Sequence, residues 1–341
     1  TLYAWSINFV ESFVNVLFLA WGDSLARLAF SLDLQRALRG MLLAFILAGF
    51  VSISFYFLRK VEHETGDENL WGRESLGLGV AWLVLGLFPV ILANRSVHLA
   101  EYSRYGFVSA GGAMLVLAYL LGQLKRASVQ GMVLAFLIFS ASFTHYGNSV
   151  SYADSFAAMR EFWWQVSWRV PQFELRTTLI ASYPGSVRET SFVWGPANQI
   201  YYPELLEGKG VQTGVYALMM NDRTAMNVLT RQKAKLDKYN VVETYPSARN
   251  ILILSQPTEN SCVQVIEGDA PHYSPYEKGN VMLLGAYSET ERILLDAPLH
   301  YPPSFLFGPE PAHDWCYIYQ KATLARQRGD WDEVYALDAE A

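Results

Sequence analysis

The chain has 341 residues, more than one ordinary domain, with a net charge of −6 and 2 cysteines. No run of lysine and arginine exceeds two residues, which excludes the usual basic face for nucleic acid, and no nucleic-acid partner is expected. Leu, Ala, Phe, Val and Gly dominate up to about residue 146, whereas charged residues and prolines become frequent beyond about 150. Two regimes of folding are therefore joined in one sequence.

Thr1 lies already inside an apolar pattern, without the charged segment and cleavage site of a signal peptide. Ala341 closes inside a helical pattern, so the sequence is expected to be a piece of a longer protein. Leu2–Trp21 is apolar, but Asn8, Glu11, Ser12 and Asn15 recur at helical spacing and form one polar face. Two readings stand open. The helix lies in the membrane interface with Trp5 and Trp21 at headgroup depth, or it spans with Glu11 facing a protein neighbour.

Four apolar blocks follow, Met41–Leu58, Leu76–Ala93, Gly106–Leu124 and Val129–Phe143, none containing Asp, Glu, Lys or Arg. A helix crosses a bilayer core in roughly 17–25 residues, and a charge at mid-depth costs several kcal/mol, so all four read as spans. Gly106, Gly111 and Gly112 predict close helix approach in the third. Arg59, Lys60, Arg73, Lys125 and Arg126 crowd two short connections on one side. Arg27, Arg36, Arg39, Arg95 and Arg104 are spread over longer ones on the other. The density predicts that the first side is cytoplasmic and the C-terminal half lies outside.

Tyr152–Val170 reads as an amphipathic helix whose Trp163, Trp164 and Trp168 either anchor at the lipid surface or form the core of the next domain. Thr178–Ser182, Val241–Tyr245, Asn250–Ser255 and Cys262–Glu267 are short strands, the later ones expected as an antiparallel meander. Asp222–Lys238 is expected to be one helix, acidic at its start and lysine-rich at its end. His313–Arg326 and Trp331–Glu340 are two helices joined at Gln327-Arg-Gly-Asp330. The expected fold is an α-helical transmembrane bundle with an N-terminal interfacial helix, then a small α/β domain outside the cytoplasm, then a helical hairpin. The boundaries fall at 1–35, 36–147, 148–305 and 306–341.

No Gly-rich phosphate loop, zinc-ligand spacing or nucleophile elbow occurs, so neither a metal nor a cofactor is expected. The best chemical candidate is the connection Asn94–Tyr105. There Arg95, His98, Glu101 and Arg104 offer guanidinium forks and an imidazole to a lipid phosphate, unless they are an ordinary charged loop. His145 stands at the end of the fourth block, where a haem or chlorophyll ligand and a hydrogen-bonded interfacial histidine compete as readings. The aromatics Phe192, Trp194, Tyr201 and Tyr202 suit a sugar platform or a core equally. Glu310 and Asp314 beside His313 suggest a small acidic site, although Phe307-Gly-Pro-Glu-Pro311 reads first as a rigid turn. Cys262 and Cys316 both lie in the outer half, where oxidation is permitted, and are expected to pair.

Leu-Phe-Pro-Val-Ile-Leu-Ala-Asn-Arg within Leu87–Tyr105, Phe-Trp-Trp-Gln-Val-Ser-Trp-Arg-Val-Pro over Phe162–Pro171, and Gly-Pro-Glu-Pro-Ala-His-Asp-Trp-Cys-Tyr within Phe307–Trp331 resemble an uncharacterised family of bacterial polytopic membrane proteins of the Chloroflexi type. The layout is similar to the C-terminal part of membrane glycosyltransferases of the GT-C class, and Tyr319–Trp331 resembles a tetratricopeptide hairpin. The resemblance implies a bacterial plasma membrane. It transfers no catalytic residue, because in GT-C enzymes the catalytic acid lies in the first outer loop near the N-terminus, a region expected to lie outside this piece. Two functions follow as expectations. One is an accessory or structural subunit of a larger membrane assembly, its partners being membrane lipid and other membrane-protein subunits. The other is the C-terminal portion of a GT-C-like glycosyltransferase using a polyprenyl-phosphate sugar donor.

Overall fold

A computed structural model describes residues 2–18, 32–65, 72–98, 103–183, 190–206, 211–232, 237–239 and 242–341. The chain divides into two compact units, Thr1–Ser151 and Tyr152–Ala341.

The first unit is helical: α1 (Leu2–Leu17), α2 (Leu34–Thr65), α3 (Gly72–Leu92), α4 (Phe107–Gly122) and the start of α5 (Ala127–Arg169). Among the described residues four helices are long and apolar enough to cross a membrane, within Leu34–Leu58, Gly72–Leu92, Arg104–Gly122 and Ala127–Arg169. The helix α2 begins where the Asp33 carboxylate accepts from the Arg36 backbone N–H at 2.9 Å, capping an otherwise unpaired donor. At the end of α3, Asn94 takes a left-handed conformation with φ 53°. Its N–H donates to Ile91 and that of Arg95 to Val90, which satisfies the last carbonyls of the helix.

The polar face of α1 does not turn away from protein. Ser12 Oγ accepts from the Val97 N–H at 3.0 Å, and Asn15 donates to the Val97 carbonyl at 2.7 Å. Its apolar side, with Val16 and Leu17, closes a cluster with Leu83, Leu87, Ala113 and Val116. A second cluster joins Ala44 of α2 to Phe143 of α5, with Phe45 and Phe139 rings 4.6 Å apart.

The helix α5 is unbroken over 43 residues, where the sequence suggested a span ending at Phe143 and a separate helix from Tyr152. Its only interior breaker between them is Gly147, and one glycine costs about 1 kcal/mol relative to alanine, too little to end a helix packed at both ends. In the second unit Trp163, Trp164 and Trp168 are all buried, so they are core residues rather than lipid anchors.

The second unit continues with β1 (Thr178–Ser182), α6 (Ser191–Tyr201), β2 (Val211–Gln212), β3 (Tyr216–Met219), α7 (Asp222–Leu229), β4 (Asp237–Tyr239), β5 (Val242–Thr244), β6 (Ile251–Ser255) and β7 (Gln264–Val265). It ends with α8 (Gly279–Leu284), α9 (Ser304–Phe307), α10 (Trp315–Arg328) and α11 (Trp331–Glu340). The main sheet has the order β3-β1-β6-β7, and β2-β5-β4 form a smaller one. In the main sheet β1 pairs in parallel with both β3 and β6, Ile180 standing opposite Leu218 and Ile253, while β7 alone runs antiparallel. Of the expected antiparallel meander the pair β6–β7 is present, whereas β5 lies in the smaller sheet and so does not continue it. Both β1 and β6 are buried along their whole length, as strands covered by helices on both faces must be.

Leu179, Ala181, Leu252 and Leu254 pack under α6 and the end of α5, with Phe162, Trp163, Val193 and Ala197. Ile180, Ile251 and Ile253 pack on the other face against Ala225 and Val228 of α7 and Val281 and Leu284 of α8. The unit is therefore a three-layer α/β/α sandwich. The expected helix Asp222–Lys238 is shorter: α7 stops at Leu229, Arg231 is left-handed with φ 49°, and Lys238 lies in β4. Asn221 caps the start of α7 by accepting from the Thr224 N–H at 2.9 Å. The hairpin of α10 and α11 turns on Gly329, left-handed at φ 77°, with Asp330 then capping α11 through the Glu333 N–H at 3.1 Å.

Candidate functional site

The connection after α3 places Arg95 and Arg104 at exposed positions, while Glu101 lies outside the described residues. His98 Nε2 is 2.9 Å from Ser96 Oγ and 3.7 Å from Glu11 Oε1 on α1. Both contacts meet the same ring nitrogen, so they do not set His98 between hydroxyl and carboxylate as a proton relay. Arg104 lies over the ring of Tyr105, 5.3 Å from its centroid. Among the described residues, the connection and the facing side of α1 together carry one carboxylate, one imidazole and two guanidinium groups. Glu11 is the member that loop reading alone does not reach, although it sits on the polar stripe visible in the sequence.

The other positions resolve more simply. Tyr201 and Tyr202 are buried, their hydroxyls donating to the carbonyls of Val170 and Phe173, and Phe192 and Trp194 pack against the same cluster. The stretch is core and forms no sugar platform. Asp314 caps α10 by accepting from the Cys316 N–H at 3.0 Å, and Glu310 accepts from the Trp168 indole at 2.8 Å. His313 stacks on Tyr317 with centroids 3.6 Å apart and its Nε2 lies 3.2 Å from Glu310 Oε1, so the trio is tied into the start of α10 with its side chains exposed. His145 is exposed on α5. Among the described residues no group of three or more His, Cys, Asp or Glu side chains could hold a metal ion. Cys262 and Cys316 are joined in a disulfide, their Cα atoms 5.2 Å apart.

Sequence reading missed a second polar constellation, at the carboxyl ends of β1 and β6. The chain passes from β1 to one neighbour through α6 and then crosses β1 to the other, which makes this the point where the winding reverses. In open α/β sheets ligands bind in the crevice at such a point. Ser182 and Ser255 are register partners there. Ser255 Oγ donates to Glu277 Oε1 at 2.8 Å, the Lys278 N–H donates to the same oxygen at 2.9 Å, and Lys278 Nζ donates to Ser182 Oγ at 3.1 Å. Glu277 Oε2 and Gln256 Oε1 are buried without a hydrogen-bond partner among the described residues. Burial, with the Glu277 carboxylate second, pushes the Tyr273 phenol above its ordinary pKa.

Ser182 and Ser255 are both buried, at 2% and 0% exposure. The cluster can fix the strand ends and hold a half-buried ammonium group beside them. Its members lie at 182, 255, 277 and 278, and only the parallel pairing of β1 with β6 brings them together. No family model, curated protein or solved structure matches this chain.

Proposed function

We propose that the chain is an accessory subunit of a bacterial membrane assembly, seated by its apolar helices and binding protein through its C-terminal unit outside the cytoplasm. The observation that carries this is α11. It has no buried residue and exposes Trp331 at 55% and Tyr335 at 71%, and Trp315 at the start of α10 is also exposed, at 64%. Large aromatics are the commonest anchors of protein interfaces, and a helical hairpin of tetratricopeptide type does not bury its own outer face. The spans support the membrane part, since the window within Leu34–Leu58 is 11% buried and its apolar side chains face outward. The disulfide supports an oxidising compartment for the C-terminal unit.

A photo-reactive phenylalanine at Trp331 or Tyr335, irradiated in native membranes, is expected to give a discrete adduct with another protein. The same probe at exposed Arg223 on α7 is expected to give none. Absence of an adduct at both hairpin positions, or equal labelling at all three, overturns the reading.

One observation favours the glycosyltransferase alternative: Glu11 stands 3.7 Å from His98 on the loop that carries Arg95 and Arg104. A carboxylate near a phosphate grip is what general-base activation of an acceptor needs. Turnover of a polyprenyl-phosphate sugar by the purified chain, lost in Glu11→Gln or Glu101→Gln, would replace the docking reading with this one.

A further inference from the structure

The guanidinium of Arg169, at the end of α5, is 2% exposed. Nη2 donates to Gln327 Oε1 at 2.6 Å, a neutral acceptor, and Nη1 is buried with no hydrogen-bond partner. Arg169 lines a cavity of about 150 Å³, together with Gln264, Glu267, His272, Tyr319 and Arg326. Liquid water takes roughly 30 Å³ per molecule, so the space exceeds what a single bridging water fills. The charges acting on Arg169 are Glu267, Arg326 and Arg328, with the Glu267 carboxylate already held by Arg326. Two guanidinium groups, Arg169 and Arg326, thus line the cavity with the Glu267 carboxylate, while Arg328 donates to the Leu295 carbonyl outside it. A buried charge left without a counter-charge is expensive, and native structures pair such groups or give them a ligand.

We propose that this cavity is a binding site for a small oxyanion group, a phosphate or a carboxylate, with Arg169 Nη1 as its fixed donor and Arg326 as the second cation. A guanidinium binds an oxyanion through its N–H donors, and Nη1 is the donor of Arg169 that no protein acceptor among the described residues takes. Burial, its largest cause, brings the Arg169 pKa down to about 10, which still leaves it charged at neutral pH. The site does not depend on the docking role of α11. Its walls are tied covalently: Cys262 lies two residues before Gln264, and Cys316 lies on the same helix as Tyr319 and Arg326.

The test uses the full chain in a maltoside detergent, equilibrated in chloride at fixed ionic strength. Inorganic phosphate, acetate and a soluble sugar 1-phosphate are titrated separately, and the Tm and binding heat are followed. A ligand that binds only the folded state raises Tm in a saturable way. At least one of the three is expected to do so. The response is expected to vanish in Arg169→Met and to occur at an affinity about ten-fold tighter in Glu267→Gln, which removes the competing carboxylate. The gain in Glu267→Gln keeps the test decisive if Arg169→Met does not fold. Preference for acetate identifies a carboxylate ligand, preference for inorganic phosphate a free ion, and preference for the sugar 1-phosphate a phosphate carried on a larger group. No effect beyond chloride, an unchanged response in Arg169→Met, or no tightening in Glu267→Gln overturns the proposal.

Discussion

A Cβ added at Gly112 would stand 2.3 Å from the Leu83 backbone nitrogen and 2.6 Å from the Gly79 carbonyl oxygen, so α4 touches α3 backbone to backbone. Gly112→Leu must therefore push the helices apart, and overpacking of this kind costs about 1–3 kcal/mol. Gly49→Ala is the matched control, since a Cβ there meets nothing within 4 Å. Thermal unfolding in detergent is expected to show a lower Tm for the first and no change for the second. Gly112 was legible in the sequence as a close-approach residue. Its partners Gly79 and Leu83 were not, because spacing within one helix does not say which face of the next helix it meets. Tyr202 gives a prediction of a different kind. Burial first, then the charges of Glu204 and Glu174, pushes its phenol up to about 12. Between the ordinary value of about 10 and 12, the folded chain keeps a proton that the unfolded chain releases. The contribution of Tyr202 to stability is therefore constant below that window and falls as pH rises through it. Chemical denaturation from pH 9 to 12 is expected to show a shallower fall in Tyr202→Phe.

At the level of elements, the disulfide joins Cys262, just before β7, to Cys316 in the first turn of α10, across a sequence separation of 54. Closing a loop of that length is worth about 4 kcal/mol in the chain-entropy model. Cys262→Ser with Cys316→Ser is expected to lower the Tm of the C-terminal unit. The same variant should also bind the proposed oxyanion more weakly, because two walls of the Arg169 cavity lose their tie. The strands show how far pattern alone reaches. Thr-Leu-Ile-Ala-Ser and Ile-Leu-Ile-Leu-Ser announce buried strands by their apolar β-branched runs. Their direction is not written locally, since a parallel partner is set by a crossover helix elsewhere in the chain. Hence β1 and β6 were visible as strands while the Ser182, Ser255, Glu277 and Lys278 cluster at their ends was not. Breaks in α5 were misread for a related reason: the polar run after Phe143 looked like a loop, but it contains no proline.

For the whole molecule, the apolar blocks were legible because the cost of burying charge in hydrocarbon leaves a plain compositional mark. Sidedness rests on the weaker mark of flanking lysines and arginines. Single cysteines introduced at Glu64 and at Asp222 and exposed to an impermeant maleimide in intact cells measure it directly. Labelling at Asp222 and protection at Glu64 is the expected result, and the reverse pattern would turn the molecule over. The exposed hairpin and the loop of Arg95 and Arg104 would then face the other compartment, and both functional readings would change with it.

The glycine contact between α3 and α4 also bears on temperature. Helices in hydrocarbon gain nothing from releasing water, so their pairing rests on close packing, and backbone-to-backbone contact supplies it. The sheet layers around Ile180 and Leu252 instead draw their stabilisation from water, with the large heat capacity that makes such burial weaken on cooling. The two units therefore answer cold differently. As temperature falls, the sandwich nears its lower limit of stability while the helix pair keeps its grip, so a chilled membrane should retain the anchor longer than the domain it carries.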